Sequence, residues 1–299
     1  MPRLISLGTV VVDVVAAVPA LPRRGRDVFA EHLVVAAGGG FNAMAAAARQ
    51  GIAVVHAGVH GTGPFADVVR LAFAAEGIAA PIPPRAELDT GVVISLVDQS
   101  GERTFVSGRG AEATLTAADL THVVPAPGDV VLVSGYGLVH PPNRSALVPW
   151  VTALPAEVLV LVDPGPLAAV EAPDALAAVL ARADWCSAAA AEAERLTGRT
   201  APVAAAAALG RAVVRTGSDG CVVAGPGAPV VVSGFVVDAL DTNGAGDAHT
   251  GVFLAALARG AEPVAAARRA NAAAAISVTR RGPATAPTAA ETDAFLALH

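Results

Sequence analysis

Seven consecutive residues, Asp241-Thr242-Asn243-Gly244-Ala245-Gly246-Asp247, stand between an apolar run and the strongly helical residues 248–259. Their types and order could handle an anion. Gly244 and Gly246 allow the tight backbone geometry that points free amides at one spot, and the positive end of the following helix favours negative charge there. A transferring phosphoryl group suits that spot, and the carboxylate of Asp247 could accept the proton of an attacking hydroxyl. An Asp before a helix is also a favoured cap and Gly-rich turns are common, so spacing alone leaves both readings open.

A second candidate is Ala37-Gly38-Gly39-Gly40-Phe41-Asn42-Ala43, which leads into a helical stretch ended by Gly51. Through Gly38, Gly40 and Ala43 it fits the dinucleotide pattern Gly-x-Gly-x-x-Ala. That site wants an acidic residue about twenty positions on to hold the ribose hydroxyls. The next strand ends Gly58-Val59-His60-Gly61, with no acid, which weakens the dinucleotide reading. Asp13, the turn Arg215-Thr216-Gly217-Ser218-Asp219-Gly220, and Asn271 in an Ala-rich helical run are further polar points. A strand-end Asp, a plain turn and a packed helix are their ordinary readings.

Composition removes several chemistries. All 20 basic residues are Arg, so neither a Walker-type phosphate loop nor a Schiff base is available, both of which need Lys. With net charge −6 and scattered Arg, no basic face exists for nucleic acid or an anionic membrane, and 4% aromatic content gives little for stacked bases. Cys186 and Cys221 are too few for a disulfide framework, which fits a reducing cytoplasm. The first apolar run is interrupted by Gly8 and Asp13 and reads as a strand, not a signal peptide. Residues 221–237 are broken by Gly225, Pro226, Gly227 and Pro229, which no membrane helix would be. The 7 His lack metal-ligand spacing, and His249 reads as a packing residue.

The elements that must position these groups alternate. Apolar runs at 4–15, 53–59, 130–134, 158–163, 213–216 and 222–223 read as strands, and helical stretches fall at 41–50, 64–76, 143–153, 167–181 and 201–209. That rhythm indicates βαβ units with buried parallel strands. Residues 13–36 and 90–107 instead alternate apolar with polar around turns and could form a small separate sheet. No linker or repeat divides the chain, so one doubly wound α/β domain over 1–299 is expected.

The 241–247 run resembles the second signature of the ribokinase-like, or PfkB-type, carbohydrate kinases, Asp-Thr-x-Gly-Ala-Gly-Asp, at every specified position. The resemblance implies a three-layer doubly wound, mostly parallel sheet with a small β lid, and transfer of a phosphoryl group from ATP to a sugar hydroxyl. It gives Gly244, Ala245 and Gly246 the role of anion hole and Asp247 that of base. The Gly-rich run resembles the first signature, implicating Gly39 and Gly40 as hinge and Asn42 as a substrate contact. Asp13 matches a substrate-binding Asp, Thr216, Gly217 and Gly220 a nucleotide-side segment, and Asn271 a polar contact on the adenine side.

The family often carries Asn-x-x-Glu before Leu-Thr-Gly to help organise Mg²⁺. Here Ala189 replaces the Asn, Glu192 is kept, and Leu196-Thr197-Gly198 follows. Some members bind a monovalent cation, for which the resemblance points to Asp241, and many dimerise through the lid. Sequence does not choose the sugar. A nucleoside kinase of the same family and a catalytically silent sugar- or nucleotide-binding protein are the alternatives. Phe41 and Phe105 lie where a nucleobase could be sandwiched.

Overall fold

In a computed structural model, which describes residues 2–299, the apolar runs become twelve strands. They are β1 (Arg3–Ser6), β2 (Val10–Ala17), β3 (His32–Gly39), β4 (Ala53–His56), β5 (Val92–Val97), β6 (Arg103–Gly108), β7 (Val130–Ser134), β8 (Leu159–Asp163), β9 (Trp185–Ala189), β10 (Ala212–Arg215), β11 (Gly220–Ala224) and β12 (Val230–Ser233). The helices are α1 (Gly40–Arg49), α2 (Pro64–Glu76), α3 (Ala117–Leu120), α4 (Gly135–Leu138), α5 (Pro141–Thr152), α6 (Ala168–Glu171), α7 (Pro173–Arg182), α8 (Ala190–Thr197), α9 (Pro202–Leu209), α10 (Ala245–Ala258), α11 (Pro263–Val278) and α12 (Ala289–Leu298).

Eight strands form one sheet in the order β12-β11-β10-β9-β8-β7-β1-β4, parallel except where β11 pairs with β10 and β12. Because side chains alternate across a strand, each strand feeds two cores. Leu4, Val130, Leu132 and Leu161 pack on one face with α1, α10 and α11, while Ile5, Val131, Val133, Val160 and Val162 pack on the other with α5 and α7. Ala supplies much of each helix face, so helices approach the sheet and each other closely. From β1 the chain adds β4 on one side and β7 to β10 on the other, so the strand order reverses beside β1. The crevice at the carboxyl ends of the strands there is the natural ligand position.

The other four strands form a separate sheet, β3-β2-β5-β6, antiparallel except for the β2/β5 pair. Register places Asp13, Val15 and Ala17 of β2 on one face with Val34, Val93, Ser95 and Phe105. The opposite face presents Val35, Ile94 and Val106, all exposed.

Three readings of the sequence need correction. The 4–15 run is two strands in different sheets. Gly8 turns the chain between them, and a side chain there would sit 3.2 Å from the Cα of Gly40. The single helix read over 167–181 is two, because Pro173 clashes with a helical preceding residue and Ala172 takes φ −150° and ψ 51°. Strand β9 was not anticipated, since Trp185-Cys186-Ser187-Ala188-Ala189 has no β-branched residue, yet it lies mid-sheet between β8 and β10.

Candidate active site

Helix α10 begins inside the 241–247 run. Gly244, its N-cap, lies in the left-handed region at φ 73°, where other residues are strained, and no side chain caps the helix. Ala245 N–H reaches only back to Thr242 O, at 3.3 Å, and the first regular helical bond runs from Ala248 N–H to Gly244 O, at 2.8 Å. The amides of Gly246 and Asp247 are therefore left for an external acceptor. Asp247 sits in this first turn, and its Oδ2 accepts a hydrogen bond from Nδ2 of Asn42 at 3.2 Å. Asn42 lies in the first turn of α1, so two helix N-termini meet. Gly251 lets them do so, because a Cβ there would fall 2.2 Å from the carbonyl oxygen of Ala43. Burial, joined by the nearby charge of Asp163, raises the Asp247 carboxyl to about 7 against the opposing pull of the Asn42 bond and Arg215.

Behind Asp247, side chains from several elements converge on Arg215 at the end of β10. Its Nη1 donates to Asp163 Oδ2 at 3.1 Å, to Thr250 Oγ1 at 2.9 Å and to Ser187 Oγ. Its Nη2 stands 3.6 Å from Oε2 of Glu192, which also accepts from the amide of Ala189 at 2.7 Å and so caps α8. Burial and Asp163 raise the Glu192 carboxyl. Tyr136 of α4 borders the group, its hydroxyl pushed up by burial and by the charges of Asp247, Glu192 and Asp163.

The inner face of the small sheet roofs a cavity of about 850 Å³ whose floor is Asp241, Thr242, Asn243, Arg281 and Gly282. Asp13 projects into it, its carboxyl raised to about 6 by burial. The same carboxylate fills the space over Gly38, where a Cβ would come within 2.1 Å of Oδ2. Roof and floor are joined directly: Arg103 of β6 donates through Nη2 to Asp241 Oδ1 at 2.6 Å.

Asn42 meets Asp247 directly, the charge of Asp13 is felt at Asp247, and Gly244 to Asp247 follow without a break from Asp241 to Asn243, the floor of the cavity that Asp13 lines. Gly39, at φ 60°, ends the small sheet and Gly40 opens α1, so both stand at the junction between roof and body. Gly217 and Gly220, both at positive φ, turn the chain after Arg215, with Thr216 N–H bonded to Gly220 O. Asn271 was expected as a nucleotide contact. It is buried and spends Nδ2 on the carbonyls of Val232 and Ser233, tying α11 to β12. Asp241, expected as a cation ligand, ties lid and floor together: Oδ1 accepts from Arg103 and the amide of Asn243, and Oδ2 from the amide of Gly282. The dinucleotide pattern fails because β3, which precedes Gly40, belongs to the small sheet and not to a parallel βαβ unit. Phe41 packs in the core at 5% exposure, so it cannot sandwich a base against Phe105. His249 is buried and stacks on Phe253, as a packing residue does.

Asp163, Tyr136 and Thr250 were missed by sequence reasoning, and Arg215 was seen only as part of a turn. Two of them, Asp163 and Arg215, stand at carboxyl ends of parallel strands, the position that would have flagged them.

Residues 1–290 match the family model described as pfkB family carbohydrate kinase. The chain is 35% identical to the uncharacterized sugar kinase YegV of Escherichia coli strain K12, over 95% of this chain and 91% of that protein. It is 29% identical to the ribokinase of Haemophilus influenzae, over 98% of each. Among solved structures, a putative ribokinase II from E. coli in complex with ATP and Mg²⁺ superposes with TM-score 0.85 at 23% identity, covering 100% of both chains. The chain thus belongs to the PfkB family of carbohydrate kinases, and its fold is the ribokinase-like α/β fold.

Proposed function

We propose that this kinase transfers the γ-phosphoryl group of ATP to a hydroxyl of a small, non-nucleoside sugar held in the cavity under the small sheet. The observation that carries the reading is Asp247: a carboxyl raised to about 7 at an uncapped helix N-terminus that directly follows the floor of the Asp13 cavity, with the charge of Asp13 contributing to the rise. A general base works best with a pKa near the operating pH. Asp13 and Asn42 would accept and donate hydrogen bonds to sugar hydroxyls. One hydroxyl then attacks the γ-phosphorus, its proton passes to Asp247, the new O–P bond forms as the bond to the β-phosphate oxygen breaks, and ADP leaves. The amides of Gly246 and Asp247, left free where Gly244 and Ala245 turn the chain into α10, would hold the equatorial oxygens, with the α10 dipole behind them.

Mg²⁺ takes oxygen ligands and keeps several waters, sharing one or two carboxylates with substrate phosphates. Asp163 and Glu192 offer such oxygens beside the anion site, while no three His, Cys, Asp or Glu side chains gather as a cage among the described residues. They fit a phosphate-borne ion, which when bound would neutralise phosphate charge. The small sheet acts as a lid hinged at Gly39 and Gly40, excluding water from the transfer. The exposed face of Val35, Ile94 and Val106 supports pairing of two copies through the lid, which light scattering would register.

ADP release by purified protein with MgATP, across pentoses, hexoses, keto-deoxy acids, sugar phosphates and nucleosides, tests the reading, with Asp247→Asn as control. One sugar should stand out and fall silent in the variant. A nucleoside as best substrate would overturn the substrate class. Binding of ATP and a sugar without ADP release would place the chain among silent relatives.

A further inference from the structure

Arg215 has no part in the chemistry above, yet it is the cation at its centre. The chain has no Lys, so any side-chain cation serving phosphate must be Arg. The Arg215 side chain is 14% exposed. Among the described residues all its hydrogen bonds leave from Nη1, to Asp163, Thr250 and Ser187. The other edge of the guanidinium makes none. That edge lies against the first turn of α10, where a Cβ on Gly246 would be 3.5 Å from Nε and 3.8 Å from Nη2. One side of the fork is clamped, and the other, with only Glu192 Oε2 3.6 Å from Nη2, lies beside the first turn of α10, whose Gly246 and Asp247 amides are free.

We infer that Arg215 is a further catalytic residue, donating from Nε and Nη2 to the γ-phosphoryl group of ATP before and during its transfer. The inference rests on the kinase reading. During transfer negative charge spreads over the three equatorial oxygens, and a planar fork meets two of them at once, as a Lys ammonium would not. The substrate hydroxyl oxygen bonds to the γ-phosphorus, its proton goes to Asp247, and the electron pair of the breaking P–O bond leaves with ADP. Arg215 donates hydrogen bonds throughout and gives up no proton. The clamp at Nη1 fixes the free edge in advance, so little reorganisation is needed at the moment of reaction. The position also answers the loss of an amide at Ala189: Arg215 is the donor-bearing side chain next to Glu192.

The test uses Arg215→Lys and Arg215→Ala in the full chain, with calorimetric binding of ADP and of a non-hydrolysable ATP analogue beside steady-state kinetics. An ammonium can still meet Asp163, Ser187 and Thr250, so the Lys variant should fold even if the Ala variant does not. Affinity for the analogue should fall about tenfold while that for ADP holds, and kcat should fall about 10²–10³-fold with the sugar KM little changed, the loss typical of one transition-state donor. A residue that only glues the strands together would lower the melting temperature and leave the ratio of analogue to ADP affinity unaltered. That unaltered ratio, or a Lys variant with kcat within threefold of wild type, overturns the inference. If wild type phosphorylates nothing, the kinase reading falls separately, and the affinity ratio still decides whether Arg215 touches the γ-phosphate.

Discussion

Asp247→Asn should give a protein that is more stable than wild type at pH 8 and almost without activity. Burial and the charge of Asp163 raise this carboxyl from its ordinary 3.8 to about 7. The folded chain therefore holds a proton that the unfolded chain releases in that window, and stability falls as pH climbs from 3.8 to 7. The full penalty applies above pH 7, and the stated values give it an upper bound of about 4 kcal/mol. Relaxation and water around a partly exposed group reduce this, so a gain of about 2 kcal/mol for the Asn variant is expected at pH 8. The amide oxygen of the new Asn can still accept from Nδ2 of Asn42, so that contact is kept. Urea unfolding at pH 4, 6 and 8 measures the difference, which should shrink towards zero at pH 4. In parallel, kcat should drop by about 10³-fold, and the wild-type kcat/KM should decline below pH 7 as the base takes up its proton. A variant less stable than wild type at pH 8, or a gain of the same size at every pH, would refute the electrostatic account. Near-normal turnover would refute the base.

The Arg103–Asp241 pair joins lid to floor with side chains 28% and 21% exposed, so Arg103→Ala should cost under about 1 kcal/mol in stability. Its effect should fall instead on the sugar KM, raised about tenfold by the conformational penalty of an unlatched lid, and steady-state kinetics with KM unchanged would remove the pair from lid closure. Gly38→Ala places a Cβ 2.1 Å from Oδ2 of Asp13 and must displace that carboxylate. Calorimetry should show sugar binding weakened by about 1–3 kcal/mol, the cost of a lost charged hydrogen-bond partner, while ATP binding is unchanged; unaltered sugar affinity would take Asp13 out of the substrate site.

The part of the site that was legible in the sequence is the part written contiguously. A loop that turns on Gly244 and opens α10 carries its amides and Asp247 within a few residues, so chemistry and spacing sit in one window. The 64–76 helix and the 130–134 strand were legible for the same reason, with a Pro start, a Gly stop and unbroken apolar periodicity. The wall behind Asp247 was not, since Asp163, Ser187, Glu192, Arg215 and Thr250 come from five elements. Only the order β10-β9-β8 in the sheet brings them together. Strand β9, the middle member, gave no strand signal of its own, which hid the setting of Ser187 and Ala189.

This division has a consequence for the base itself. Read locally, an Asp in the first turn of a helix is held below its ordinary pKa by the helix dipole and free amides. In the folded chain the carboxyl is raised instead, because burial and Asp163, far away in sequence and adjacent in space, outweigh Asn42 and Arg215. The sequence window identifies which carboxylate could act, and the strand order sets whether it can act near neutrality. Three carboxylates, Asp163, Glu192 and Asp247, face a single guanidinium. Such a group tolerates a shared Arg only while one member can stay protonated or a further cation arrives with substrate. On the kinase reading, ATP-borne Mg²⁺ brings that charge, and the site completes its electrostatics as it fills.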